Sequence, residues 1–230
     1  MLDGIDWGSL DHAYGPATDT PTHLAALAST DPDAQRAALD HLDVAVLHQG
    51  FPESATAPAA RVVTQLLADG NLVSEVHHAL IDFLGAVANA TAMAEEREGF
   101  WENLLPGLEQ AIHQSYPVVL SFLENSDSSV RKTALGAAIS HVNTRVLADE
   151  KPLLTARLRT WADEPSQDRA FWVRCLGELG DDTQHFLSDP STKVRVCAAL
   201  APARRRQRHG HRHHHRRAVA RSRPPAEHGR

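Results

Sequence analysis

The sequence predicts an all-α fold, an α-solenoid of antiparallel helix pairs, and three observations predict it. One pattern repeats around an arginine, the chain between the repeats keeps a helical period, and nowhere do apolar and polar residues alternate as in a half-buried strand. The repeats are "LASTDPDAQRAAL" around Arg36, "FLENSDSSVRKTAL" around Arg131 and "FLSDPSTKVRVCAAL" around Arg195. Each reads as the apolar end of one helix, a polar turn, and a second helix running into Ala and Leu. "TWADEPSQDRAFWV" around Arg169 fits more loosely.

Along the chain, Asp31 before Pro32 and Asp189 before Pro190 read as acidic N-caps. In each, proline occupies the first helical position, where an amide has no partner anyway. Ser126 and Asp127 do the same work without proline, with negative charge near the positive end of the helix dipole. "HQGFP", residues 48–52, closes a helix with Gly50 in the left-handed position and proline just beyond. In "NLVSEVHHALIDFLGAVANA", Val73, Val76, Leu80, Phe83, Leu84 and Val87 fall on one stripe and Glu75, His78, Asp82 and Asn89 opposite, so one face is core and the other wet. Pro117 and Pro152 are expected to open the first helices of their units. About ten helices result, stacked as a short right-handed solenoid in which each pair buries its apolar face against its neighbours.

The units around Arg36, Arg131 and Arg195, with their Asp/Pro turn, Val-Arg and Ala-Leu pattern, resemble HEAT repeats, a HEAT-like or armadillo-like superhelix. "DWGSLDHAYGPATDTPTHLAAL" and "HQGFPESATAPAARVV" are similar to the opening of the alanine-rich actinobacterial arrays that share a domain type with phycobilisome lyases. The resemblance spans residues 2–203 and implies the fold. Its functional content is broad, because such arrays serve as scaffolds, inhibitors, lyases and glycosylases.

Charge separates the chain into two parts. Residues 204–230, beginning "RRRQRHGHRHHHRR", carry ten Arg and one Glu, while 1–203 hold 13 Lys and Arg against 28 Asp and Glu, a net −15. An acidic body opposes a phosphate-binding surface. The tail could hold phosphates but has no Phe, Tyr or Trp on which bases would stack. Its His209, His211, His213, His214 and His215 would bind nickel, copper or zinc as any polyhistidine does. In GC-rich DNA a shift of one nucleotide would convert such Arg and His codons into Ala and Thr codons. The expectation is therefore a disordered tail derived from a frameshift, with the interrupted last helix leaving an apolar edge for self-association. No basic n-region leads an apolar run, no stretch is long and apolar enough to span a membrane, and the two cysteines, Cys175 and Cys197, form no disulfide framework; a cytoplasmic location is expected.

Catalytic motifs are missing: no His precedes a Glu, and no HExxH, GxSxG or P-loop pattern occurs. Glu75, His78 and Asp82 share a helical face and could converge on a metal, as could Glu109 with His113, but both read better as solvated faces. His48 suits a helix C-terminus. Trp7, Trp101, Trp161 and Trp172 read as packing anchors, and Arg36, Arg131, Arg169 and Arg195 as repeat-stabilising residues paired with acids such as Asp31, Asp127 or Asp189. No metal or cofactor is expected. The function expected is a non-enzymatic scaffold that binds a basic protein or peptide on its concave face, where Asp40, Asp43, Glu75, Asp82 and His141 would lie. The alternatives are a HEAT-fold enzyme of the bilin-lyase or DNA-glycosylase type, and nucleic-acid binding through the tail.

Overall fold

The computed structural model of the protein describes residues 2, 4–70, 72, 74–97, 99 and 101–201, the side chains of Ser74 and Glu75 excepted. The expected disorder and origin of residues 204–230, and the placement of Val73, lie outside the described residues. The described chain is predominantly α-helical. Its helices are α1 (Thr20–Ala26), α2 (Pro32–His41), α3 (Thr56–Asp69), α4 (Ser74–Glu96), α5 (Leu105–Ser121), α6 (Ser128–Val142), α7 (Lys151–Asp163), α8 (Arg169–Leu179) and α9 over 192–201. One small exception precedes α1: β1 (Asp11–His12) and β2 (Gly15–Pro16) pair antiparallel in a minimal hairpin.

The chain divides into two compact units, Met1–Lys151 and Pro152–Arg230. Within the first, α1 packs on α2, α3 along α5, and α4 along α6, while α3, α4, α5 and α6 also meet in sequence order. The stripe on α4 is buried at Val76, Leu80, Phe83, Leu84 and Val87, and His78, Asp82 and Asn89 are exposed, as a helix with one wet face requires. Where α4 meets α6, a β-carbon on Gly85 would stand 3.0 Å from the Ala137 Cα, so the two backbones touch with no side chain between them. Within the second unit, Trp161 of α7 and Trp172 of α8 meet at a ring-centroid distance of 5.3 Å, and Phe186, Val194 and Ala198 are buried.

The turns before α2, α6 and α9 share one hydrogen-bond pattern. The first polar side chain of each accepts the amide two residues on: Ser29 Oγ from Asp31 N–H (3.0 Å), Asn125 Oδ1 from Asp127 N–H (2.9 Å), Asp189 Oδ1 from Ser191 N–H (2.8 Å). A long side chain six residues after that polar residue then returns to its carbonyl: Gln35 Nε2 to Ser29 O (2.6 Å), Arg131 to Asn125 O (2.6 Å), Arg195 to Asp189 O (2.7 Å). Both arginines also hold the next carbonyl, Ser126 O and Pro190 O. The residue equivalent to Arg131 and Arg195 is thus Gln35, one position before the arginine on which the sequence aligns. Arg36 makes only an exposed ion pair with Asp33.

Three further expectations change in detail. The stabilising arginines act chiefly on turn carbonyls, which a guanidinium fork can bridge in pairs; Arg169 alone pairs with an expected acid, Asp189, at 2.6 Å. Asp189 stands two residues before Ser191 and bonds its amide, a position set by the turn rather than by the proline rule. Pro117 lies inside α5, not at its start; Pro106 occupies the opening turn. An internal proline costs about 3 kcal/mol, which the burial of α5 against α3, α4 and α6 outweighs.

In urea denaturation, Arg131→Ala and Arg195→Ala should each lower the unfolding free energy by about 1–2 kcal/mol, because each strands two turn carbonyls. Arg36→Ala should stay within about 0.5 kcal/mol. Gly85→Val should cost roughly 3 kcal/mol by forcing α4 off α6; a neutral result there would contradict the backbone contact.

Candidate functional site

A row of aromatic rings begins where the hairpin folds back over the first helix pair. Gly15, at φ 117°, allows the turn that pairs His12 with Gly15. His12 consequently faces inward, 8% exposed. Tyr14 N–H donates to its Nδ1 at 3.1 Å. The ring proton must then sit on Nε2, which donates to Asp19 Oδ1 at 3.0 Å. Asp19 holds the N-cap position of α1, yet its carboxylate accepts none of the helix amides.

His41 comes from the end of α2 and is 9% exposed. It is followed by a single π-helical turn, Leu42–Val46, in which Leu47 N–H reaches back to Leu42 O, a distortion that recurs at functional sites. Its Nε2 lies 2.9 Å from the buried Thr20 hydroxyl, and His23 stacks flat on it at 4.1 Å and 9°. Ring contacts continue from His41 to His12 (5.4 Å), His12 to Tyr14 (6.2 Å) and Tyr14 to His48 (5.7 Å). Burial, with the neighbouring His23, pushes the His41 imidazole down to about 4, so the ring is neutral at neutral pH. Burial works against ionisation of Asp19, but the His12 hydrogen bond and His41 outweigh it and hold the carboxyl below its ordinary value.

His48 also lines a cleft of about 460 Å³, with Ala13, Phe51, Glu53, Arg97 and Trp101. Phe51 and Trp101 stack at 5.9 Å, and the Arg97 guanidinium lies 5.7 Å from the Trp101 ring. Gly50 and Gln49 both adopt positive φ, 78° and 54°, and this double turn carries the chain from His48 to Phe51. The left-handed Gly50 was legible in the sequence; the cleft it helps to build was not.

Of the residues expected on a binding surface, one is enclosed and three are open to solvent. Asp40, Asp43 and Asp82 are exposed, and the side chain of Glu75 lies outside those described. His141 is a correction. It is wholly buried, with Nδ1–H donating to Ala137 O (2.7 Å) and Nε2 accepting from the Ser115 hydroxyl (2.8 Å), because α6 is covered by both α4 and α5. This Ser–His pair has the contact of a nucleophile and its base but no access to solvent. Cys175 is no better placed, since burial, with Glu178 nearby, pushes its thiol up to about 12. Trp7, Trp101 and Trp172 are buried, and Trp101 additionally faces the cleft. His78 and His113 are exposed, and neither joins a metal-ligating group among the described residues; His12, Asp19 and His41 do, with one ligand atom each and all three atoms within 4.8 Å of one another. Sequence reasoning missed this group because its members come from a hairpin, a helix start and a helix end.

No protein-family model matches the chain, and no curated protein or solved structure matches it either.

Burial lowers His141 to about 4 from an ordinary 6.5. Between those values the unfolded chain takes up a proton that the native imidazole refuses, so stability is unaffected above about pH 6.5 and falls as pH drops towards 4. The loss attributable to this group is about 3 kcal/mol. His141→Gln should flatten that part of the pH dependence in unfolding titrations; an unchanged slope would show that His141 is not held neutral.

Proposed function

We propose that this chain is a HEAT-like helical-repeat binding protein, working in the cytoplasm without catalysis, and that its ligand is a segment of another protein. The matched turns before α2, α6 and α9 support the repeat reading. So does the stacking of α3 on α5 and α4 on α6, by which each helix pair covers the apolar face of the next. Among the described residues no helix is long and apolar enough to cross a membrane.

The observation that carries the binding reading is the cleft. Its aromatic pair, Phe51 and Trp101, offers a ready surface for one apolar side chain, while Glu53, Arg97 and His48 supply polar anchors. Phe51 is 41% exposed, so the pair can be reached from solution. Exposed Asp40, Asp43 and Asp82, in a body of net charge −15, favour a ligand that carries basic residues. Val196 and Leu200, exposed four residues apart on α9, support the expected self-association through this end of the chain.

Capture experiments with the full chain and with Phe51→Ala and Trp101→Ala, each checked by circular dichroism, test the reading. A partner weakened at least about tenfold by both substitutions and by added salt is the expected result. Retention that ignores both substitutions, or that depends only on residues 204–230, would contradict it.

A further inference from the structure

We infer that His12, Asp19 and His41 form a binding site for a divalent transition-metal ion of the zinc type. This does not rest on the protein-binding reading. Two imidazoles and a carboxylate are a donor set suited to zinc and its neighbours rather than to calcium or magnesium, which prefer oxygen throughout. The three ligand atoms lie within 4.8 Å of one another. Metal bonds of about 2.0–2.2 Å would draw them together by shifts on the order of 1 Å.

Asp19 stands just before α1 with helical backbone angles (φ −89°, ψ −21°), which leave its carboxylate off the helix amides and facing His12. The surroundings are those of a prepared site. His12 and His41 are buried, whereas the Asp19 side chain is 55% exposed, so the group is closed on the protein side and open on the other for water or a ligand. His23 stacks on His41 and Thr20 lies within hydrogen-bond distance of its Nε2, contacts that fix a ligand ring in place.

Ligation through His12 Nε2 has a definite structural consequence. The ring proton would move to Nδ1, which now accepts from Tyr14 N–H, so that hydrogen bond must open. Tyr14 is 66% exposed, so its displacement would uncover little buried surface. Ala13, its neighbour, lines the cleft, so metal binding would be felt there.

The test titrates Zn2+ by calorimetry, and Co2+ by visible absorption, into the full chain with His209, His211, His213, His214 and His215 changed to Gln to silence the tail. One equivalent of Zn2+ bound with micromolar or tighter affinity, a tetrahedral Co2+ spectrum and a displaced Tyr14 amide resonance are expected. Asp19→Asn, at a half-exposed position, should keep its thermal midpoint in chelator and weaken Zn2+ at least about 100-fold; His41→Ala should do the same to the affinity. If the tail-silenced chain binds no zinc, or if Asp19→Asn binds as tightly as its parent, the inference is overturned.

Discussion

Helices α4 and α6 meet backbone to backbone at Gly85 and Ala137, and much of the first unit is arranged around that contact. Close approach there brings the rest of both helices into register for packing, which is why α6 is buried along more than one face: Val130, Ala134, Leu135, Ala138, Ile139 and Val142 are all covered. Small residues make this possible, because an interior at crystalline density has no room for a longer side chain between two backbones. The two ring nitrogens of the enclosed His141 are satisfied by Ala137 of α6 and by Ser115 of α5. A buried polar ring with both partners present contributes specificity to the packing, and one without them would be a heavy liability.

A comparable tie joins the first helix pair, where Thr20 meets His41 across α1 and α2. The outcome differs because this pair lies under a short hairpin rather than under a long helix. His12 and Asp19 enter from one side, and Asp19 keeps half of its surface in water. One kind of contact, hydroxyl to imidazole, is therefore sealed in one place and adjoins a half-exposed carboxylate in the other. The difference lies in what covers it.

Much of the architecture was legible in the sequence for local reasons. Turn residues declare themselves through backbone chemistry: the polar residue that opens each turn, the acid that follows at Asp31 and Asp127, and the left-handed Gly50. The stripe on α4 is readable because one side of that helix is wet. Legibility failed where helices are covered on several sides. Polar and apolar residues are poorly segregated around α6, so the burial of His141 cannot be read from its pattern. Pro117 misled in a similar way, since its local preference for a helix start is overridden by burial of the whole of α5. The one-residue misalignment at Arg36 arose because Gln35 and Arg131 do the same work with different chemistry, two amide protons replacing a guanidinium fork.

By itself, then, the sequence determined that the chain is helical, where its principal turns fall and that its body is acidic. Those properties depend on residues within about six positions of one another, or on composition alone. Only the tertiary structure decided which residues share a site. His12, Asp19 and His41 carry no common periodicity, and Phe51 and Trp101 are separated by the whole of α3 and α4. Their meeting is set by how helices pack, and packing depends on side-chain volumes from distant parts of the chain acting together.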